Sequence, residues 1–157
     1  MSSEHALLDL IDDMILVGAS PKDWKEAVRL AGELLVKSNR ARETYIDAMI
    51  RTTEELGPYA VIAPGVAIPH ARPEDGAIKP GFSIVILKEP VKFGSPNDPV
   101  YIVIGFTAVD KTSHIKALQL LAELLSNKDF VEGLKKCKTK EEVLEHIKRF
   151  STALQQH

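Results

Sequence analysis

His70 stands between Pro69 and Ala71 in the segment APGVAIPHARPEDGAIKPG, which carries four prolines and three glycines. Proline fixes the φ of its own position, and an apolar run that ends in a stiff turn leaves the next side chain little freedom. An imidazole presented in this way can serve as a nucleophile. It must then be neutral, one ring nitrogen offering its lone pair while an acceptor holds the proton of the other, and the near-neutral pKa of histidine allows this. From composition alone a second possibility stays open, a histidine that is structural or simply exposed in a turn.

A second set of polar residues, Asp110-Lys111-Thr112-Ser113-His114, lies where an apolar run hands over to a helical pattern. Thr112 or Ser113 is the expected helix cap, which puts His114 in the first turn. Backbone amides there attract anions and the positive helix end favours a neutral ring, so an anion would meet both a dipole and donors. Leu118, Leu121 and Leu125 place His114 on the inward edge of that helix, where a buried-edge histidine bonded to a nearby loop is the alternative. Arg72, two positions after His70, can offer a bidentate fork to a phosphate or be an exposed surface arginine. Arg72 and Ser113 are the expected phosphate-binding residues. His5 and His157 near the chain ends, and His146 four residues after Glu142, read as solvated. Cys137 reads as an ordinary thiol.

The elements that must position these residues follow from periodicity. Leu7, Leu10, Ile11 and Met14 recur at helical spacing, and MILVGA is a short apolar run that suits a first strand. Ser20-Pro21-Lys22-Asp23 predicts a helix start with Ser20 as cap, followed by an apolar face of Trp24, Ala27, Val28, Ala31, Leu34 and Leu35. A second helix is expected from about Arg42 to Leu56, stopped by Gly57-Pro58. YAVIA, GVAI, FSIVIL and VYIVIGF read as four strands, the last two apolar enough to be covered on both faces. Helices are then expected over 112–127, around 130–134, and from Thr139 to about Phe150, with Thr139 and Glu142 as a capping box and a frayed tail STALQQH. The KFGSPNDPV segment reads as a turn. These elements predict a single domain over residues 1–157, an α/β fold with three α/β/α layers around a central mixed β-sheet.

The 157 residues carry 20 basic and 22 acidic side chains for a net charge of -2, so no basic stripe suits a nucleic-acid backbone. No apolar run approaches membrane-spanning length, and the acidic start MSSEHALLDLIDD is unlike a secretory leader, so the expectation is a cytosolic protein without membrane insertion. No HExxH, GxxxxGK[ST] or GxGxxG element is present, which speaks against a metal hydrolase and against direct nucleotide use. No cofactor and no metal are expected.

GVAIPH, a polar glycine-containing loop, two apolar strands separated by a turn, and then SHIKALQLLAELL together resemble the mannitol-fructose type of phosphotransferase-system IIA domain. The resemblance covers nearly the whole chain. DWKEAVRLAGELL, PHARPEDG and FGSPNDPV are similar to segments of its L-ascorbate branch. What the resemblance implies is a phosphohistidine at His70, formed by transfer from the phosphocarrier HPr, with His114 assisting the phosphoryl group before it passes to a cysteine of a IIB component. It also implies a membrane IIC partner. Cys137 lacks the glycine-rich cradle of a IIB cysteine, so IIB and IIC are expected on separate chains. A regulatory IIA-like module that signals its phosphorylation state by partner binding is the alternative role, and the oligomeric state stays open between monomer and homo-oligomer. The mannitol and fructose branches usually carry Arg-Glu where this chain has Glu54-Glu55, so Arg72 first, or Arg51 a helical turn before, is the expected positive group.

Overall fold

The two longest apolar runs, FSIVIL and YIVIGF, form the centre of a five-stranded sheet in the computed structural model, which describes residues 3–110, 112 and 115–155. The chain order is α1 (Ser3–Ile11), β1 (Ile15–Ala19), α2 (Trp24–Lys37), α3 (Thr44–Leu56), β2 (Val61–Ala63), β3 (Val66–Ala67), β4 (Gly81–Val91), β5 (Val100–Thr107), α4 (Ile115–Leu125), α5 (Lys128–Lys135) and α6 (Lys140–Gln155). Across the sheet the order is β1-β4-β5-β3-β2. β1 is parallel to β4 and β3 to β5, while β4–β5 and β2–β3 are antiparallel, so the sheet is mixed.

Alternation along β4 and β5 divides the apolar side chains between two cores. Phe82, Ile84, Ile86, Ile102 and Ile104 face one side, against Leu7 and Ile11 of α1, Leu121 and Leu124 of α4, Phe130 of α5 and Val143 of α6. Val85, Leu87 and Val103 face the other, against Ala27 and Ala31 of α2, and α3 packs onto α2 through Tyr45 and Met49 beside Val28 and Leu35. The three-layer α/β/α architecture expected from the doubly covered strands is the one observed. α2 approaches the sheet closely because Gly105 lacks a side chain there: a Cβ would overlap the Ser83 hydroxyl and lie 3.2 Å from Ala31. Ser83 itself is fully buried and donates to the Ala31 carbonyl at 2.8 Å, so the close packing leaves no stranded donor.

Three local expectations are corrected. α2 begins at Trp24 with Asp23, not Ser20, as its cap: the Asp23 carboxylate accepts from the Glu26 amide at 2.9 Å. A charged acceptor at the positive end of a helix outcompetes a hydroxyl three residues earlier, and Pro21 is buried, which keeps the Ser20–Lys22 stretch outside the helix. The tail does not fray at Phe150. α6 continues to Gln155, with Ser151 fully buried and Leu154 packed on the core.

His146 is the third correction, since it is buried rather than solvated. With Val143, Ile147 and Phe150 it shares the inward face of α6, and its partner is not Glu142, which instead accepts from the Lys138 amide while Thr139 accepts from the Glu142 amide, both at 3.1 Å. The His146 ring stacks on Phe130 at 4.9 Å. Its Nε2–H donates to the Phe130 carbonyl at 2.8 Å and its Nδ1 accepts from Arg149 at 3.1 Å. The ring lies so tightly over α5 that a Cβ at Gly133 would overlap it. Gly133→Ala is therefore expected to lower stability by about 1–3 kcal/mol. Urea unfolding measures this, and an unchanged midpoint would mean that the ring has room to move aside.

Candidate active site

β3 is only two residues long, and its position comes from β5: Val66 pairs with Ile102 and Ala67 with Val103 in parallel register. Past β3 the Ile68 amide donates to the Ala60 carbonyl at 3.3 Å, Pro69 is buried, and His70 makes one further parallel bridge with Phe106. The histidine thus stands at the carboxyl end of a parallel ladder, on an exposed side chain whose backbone is still in the sheet.

The imidazole is oriented from its own chain. His70 Nδ1 lies 3.1 Å from the Ile68 carbonyl oxygen, and a carbonyl can only accept, so Nδ1 carries a proton, and in the neutral ring the lone pair is on Nε2. The ring also tilts against Phe106, with centroids 6.2 Å apart, and Phe106 in turn stacks on the buried Phe82 at 5.1 Å. A neutral ring with one nitrogen committed and the other basic is the form that attacks an electrophile.

Behind this ladder stands Tyr45 of α3, 1% exposed. Its hydroxyl donates to the Phe106 carbonyl at 2.7 Å, with the Ala71 carbonyl at 3.2 Å, and accepts from the Ala71 amide at 3.1 Å. One oxygen thereby joins the residue after His70 to the residue bridged with it. The sequence reading passed over Tyr45. Its signal was its place on the apolar face of α3, four residues before Met49, where a tyrosine buries a hydroxyl that must find partners.

After Ala71 the chain turns through a short 3-10 segment, Pro73–Asp75. Asp75 closes it by accepting from the Arg72 amide at 3.0 Å, which holds its carboxyl below the usual range, helped by the charges of Arg72 and Arg51. The Arg72 guanidinium is exposed and lies 3.5 Å from both Glu74 and Asp75. Arg72 is thus close in sequence to His70 but engaged with the acids of its own turn. Ser113 and His114, the other expected site residues, lie outside the described residues. β3 and β5 are parallel, so the end of β5 lies at the same end of the sheet as His70, and it leads into the turn where Asp110 accepts from the Thr112 amide at 2.9 Å. Cys137 is elsewhere, its Sγ 3.6 Å from the Gly133 carbonyl, and burial pushes its thiol pKa up, away from a reactive thiolate.

Burial pushes the Tyr45 pKa up from 10.0 to about 12, opposed by the Ala71 amide and reinforced by Asp75. The neutral hydroxyl is what the fold favours, so its stabilisation is complete below pH 10 and is lost as pH rises through about 12. Tyr45→Phe is expected to remove that loss: the stability gap between wild type and variant should shrink from pH 10 to 12, and the phenolate absorbance step near 12 should vanish from the variant. A pH-independent gap would contradict the assignment.

With this geometry in view, comparison with known proteins gives one consistent result. Residues 10–150 match the family model for the phosphoenolpyruvate-dependent sugar phosphotransferase system, EIIA 2. The chain is 40% identical over 138 residues to the mannitol-specific cryptic phosphotransferase enzyme IIA component of Escherichia coli K12, covering 88% of this chain and 94% of that protein. It is also 40% identical over 141 residues to the ascorbate-specific EIIA component of the same strain, covering 88% and 92%. Among solved structures, the complex of the E. coli mannitol IIA and phosphorylated IIB enzymes superposes with a TM-score of 0.75 at 29% identity, over 87% of this chain and 94% of the matched one. A chain matched over nearly its full length by sequence and by fold is a member, and this one belongs to the EIIA type 2 family of sugar phosphotransferase components.

Proposed function

We propose that this protein is a phosphoryl carrier, which accepts a phosphoryl group from phosphorylated HPr on Nε2 of His70 and delivers it to a cysteine of a IIB component during sugar uptake. The observation that carries this reading is the Nδ1–H contact to the Ile68 carbonyl, which leaves Nε2 as the nucleophilic atom. In the first step the Nε2 lone pair forms the new N–P bond while the N–P bond on the donor's histidine breaks and that ring regains its lone pair. In the second, a IIB thiolate forms an S–P bond and the electron pair of the broken N–P bond returns to Nε2. Nδ1 keeps its proton throughout, and the Ile68 carbonyl dipole faces the positive charge that the ring carries while phosphorylated.

The surroundings of His70 suit a protein partner. Tyr59 precedes Ala60, whose carbonyl holds Ile68, and Val109 follows the end of β5; both are exposed, as is Ile115 at the start of α4. Exposed apolar and aromatic side chains of this kind are what a transient protein interface uses. The structure of a relative in complex with a phosphorylated IIB supports such a partner here. No described helix is long and apolar enough to cross a membrane, consistent with a cytosolic carrier that meets a separate IIC. For the sugar we propose L-ascorbate, on the likeness of DWKEAVRLAGELL, PHARPEDG and FGSPNDPV to that branch, since the mannitol-type and ascorbate-specific relatives are equally identical.

Incubation with phosphoenolpyruvate, Enzyme I and HPr should add one acid-labile phosphoryl group, read by intact mass, and His70→Ala should abolish it. Labelling that survives in this variant would overturn the reading. Chelating divalent ions after HPr has been charged should leave transfer unchanged, because both nitrogens that exchange the group are imidazole nitrogens. His114→Ala should still be labelled but pass the group to IIB about a hundredfold more slowly, the effect of losing one pre-organised donor of about 2.7–4 kcal/mol. Wild-type transfer by that variant would make His114 a structural residue.

A further inference from the structure

We propose that Tyr45 is the positioning residue for His70: its hydroxyl ties the backbone on both sides of the imidazole and so keeps the ring in the single tautomer that can accept a phosphoryl group. This rests on His70 being the acceptor. Among the described residues the 3.1 Å contact to Ile68 defines the tautomer, and that contact is made by an exposed ring on a chain whose regular ladder ended at Ala67. Beyond Ala67 the Ile68 amide still reaches the Ala60 carbonyl at 3.3 Å, and the tie to β5 is the His70–Phe106 bridge, with the Tyr45 oxygen bonded to the Phe106 carbonyl and the Ala71 amide on either side of it. The node is rigid because Tyr45 is buried at the junction of α3 with the core and because its pKa of about 12 keeps the hydroxyl protonated at any physiological pH.

Loss of the hydroxyl removes the bond across to the Phe106 carbonyl and the acceptor of the Ala71 amide, and lets the Pro69–Ala71 backbone move. The ring then samples poses in which Nδ1 no longer reaches Ile68, and the proton distributes over both nitrogens. The reacting atom is misplaced rather than removed, a kind of error that can cost on the order of a hundredfold in rate. Tyr45 is buried and out of reach of a docking partner, so the apparent affinity for the donor stays the same.

The test compares wild type with Tyr45→Phe, which keeps the core aromatic. Long-range ¹H–¹⁵N correlation spectra of the unphosphorylated protein should show His70 as the Nδ1–H tautomer in wild type and as a mixture in the variant. Phosphorylation by charged HPr should fall ten- to a hundredfold in kcat with KM unchanged, an order-of-magnitude range. Ring-fluorinated tyrosine at position 45, which retains the hydroxyl, should restore both. If Tyr45→Phe does not fold, replacing Ala71 by lactic acid, which turns the His70–Ala71 amide into an ester, removes the N–H that Tyr45 accepts from, and it should give the same loss of tautomer. A wild-type tautomer pattern and a wild-type kcat in the folded variant would overturn the proposal. The two readings fail separately: a wild type that HPr cannot label counts against His70 as acceptor, while the tautomer comparison still reports on Tyr45.

Discussion

The parallel pairing of β3 with β5 is the constraint on which the rest of the site depends. A two-residue strand cannot hold its own register, and parallel pairs need a crossover connection to bring them together. Here the crossover is made by a strand and not by an α-helix: from β3 the chain leaves through the His70 turn, builds β4, and returns as β5 antiparallel to it. The register is fixed by burial on both faces, since a one-residue slip of β3 would exchange Val66 and Ala67, which belong to different cores. Everything at His70, including the Phe106 bridge and the Ile68 carbonyl beneath Nδ1, inherits its place from that register.

Much of this was legible in the sequence because the signals were local. Gly57 takes a positive φ of 60° at the end of α3, as a glycine followed by proline suggests, and the doubly apolar FSIVIL and YIVIGF lie in the middle of the sheet. Thr139 and Glu142 act as a cap. The readings that needed tertiary information did less well. Asp23 displaced Ser20 because burial of Pro21 decides where the helix can begin, and no local pattern reports that burial. His146 looked solvated because its i−4 neighbour is acidic, although its spacing from Val143 and Phe150 already placed it inward. A polar residue on an apolar stripe is better read from the stripe.

Tyr45 shows a different kind of gap. It lies far from His70 in sequence, and the contacts that matter are to backbone atoms of Ala71 and Phe106, which no residue-type pattern encodes. Arg72 shows the converse: proximity in sequence suggested a phosphate ligand, whereas the guanidinium is engaged with Glu74 and Asp75 of its own turn. An exposed ion pair of this kind is weak and can be exchanged for a better anion at little cost. Under the proposed reading, Arg72 therefore stays available to an approaching phosphoryl group.

The committed Nδ1 has a consequence for how a carrier of this kind can be timed. With one nitrogen turned into the protein and held by Ile68, Nε2 is the nitrogen left to react, and under the proposed reading the molecule that delivers the group and the molecule that collects it must approach along the same line. Occupancy by one excludes the other. Under the proposed reading the protein works as a turnstile: no three-body assembly forms, an excess of either partner in its spent form blocks the next event, and the ratio of charged to discharged partners sets the flux.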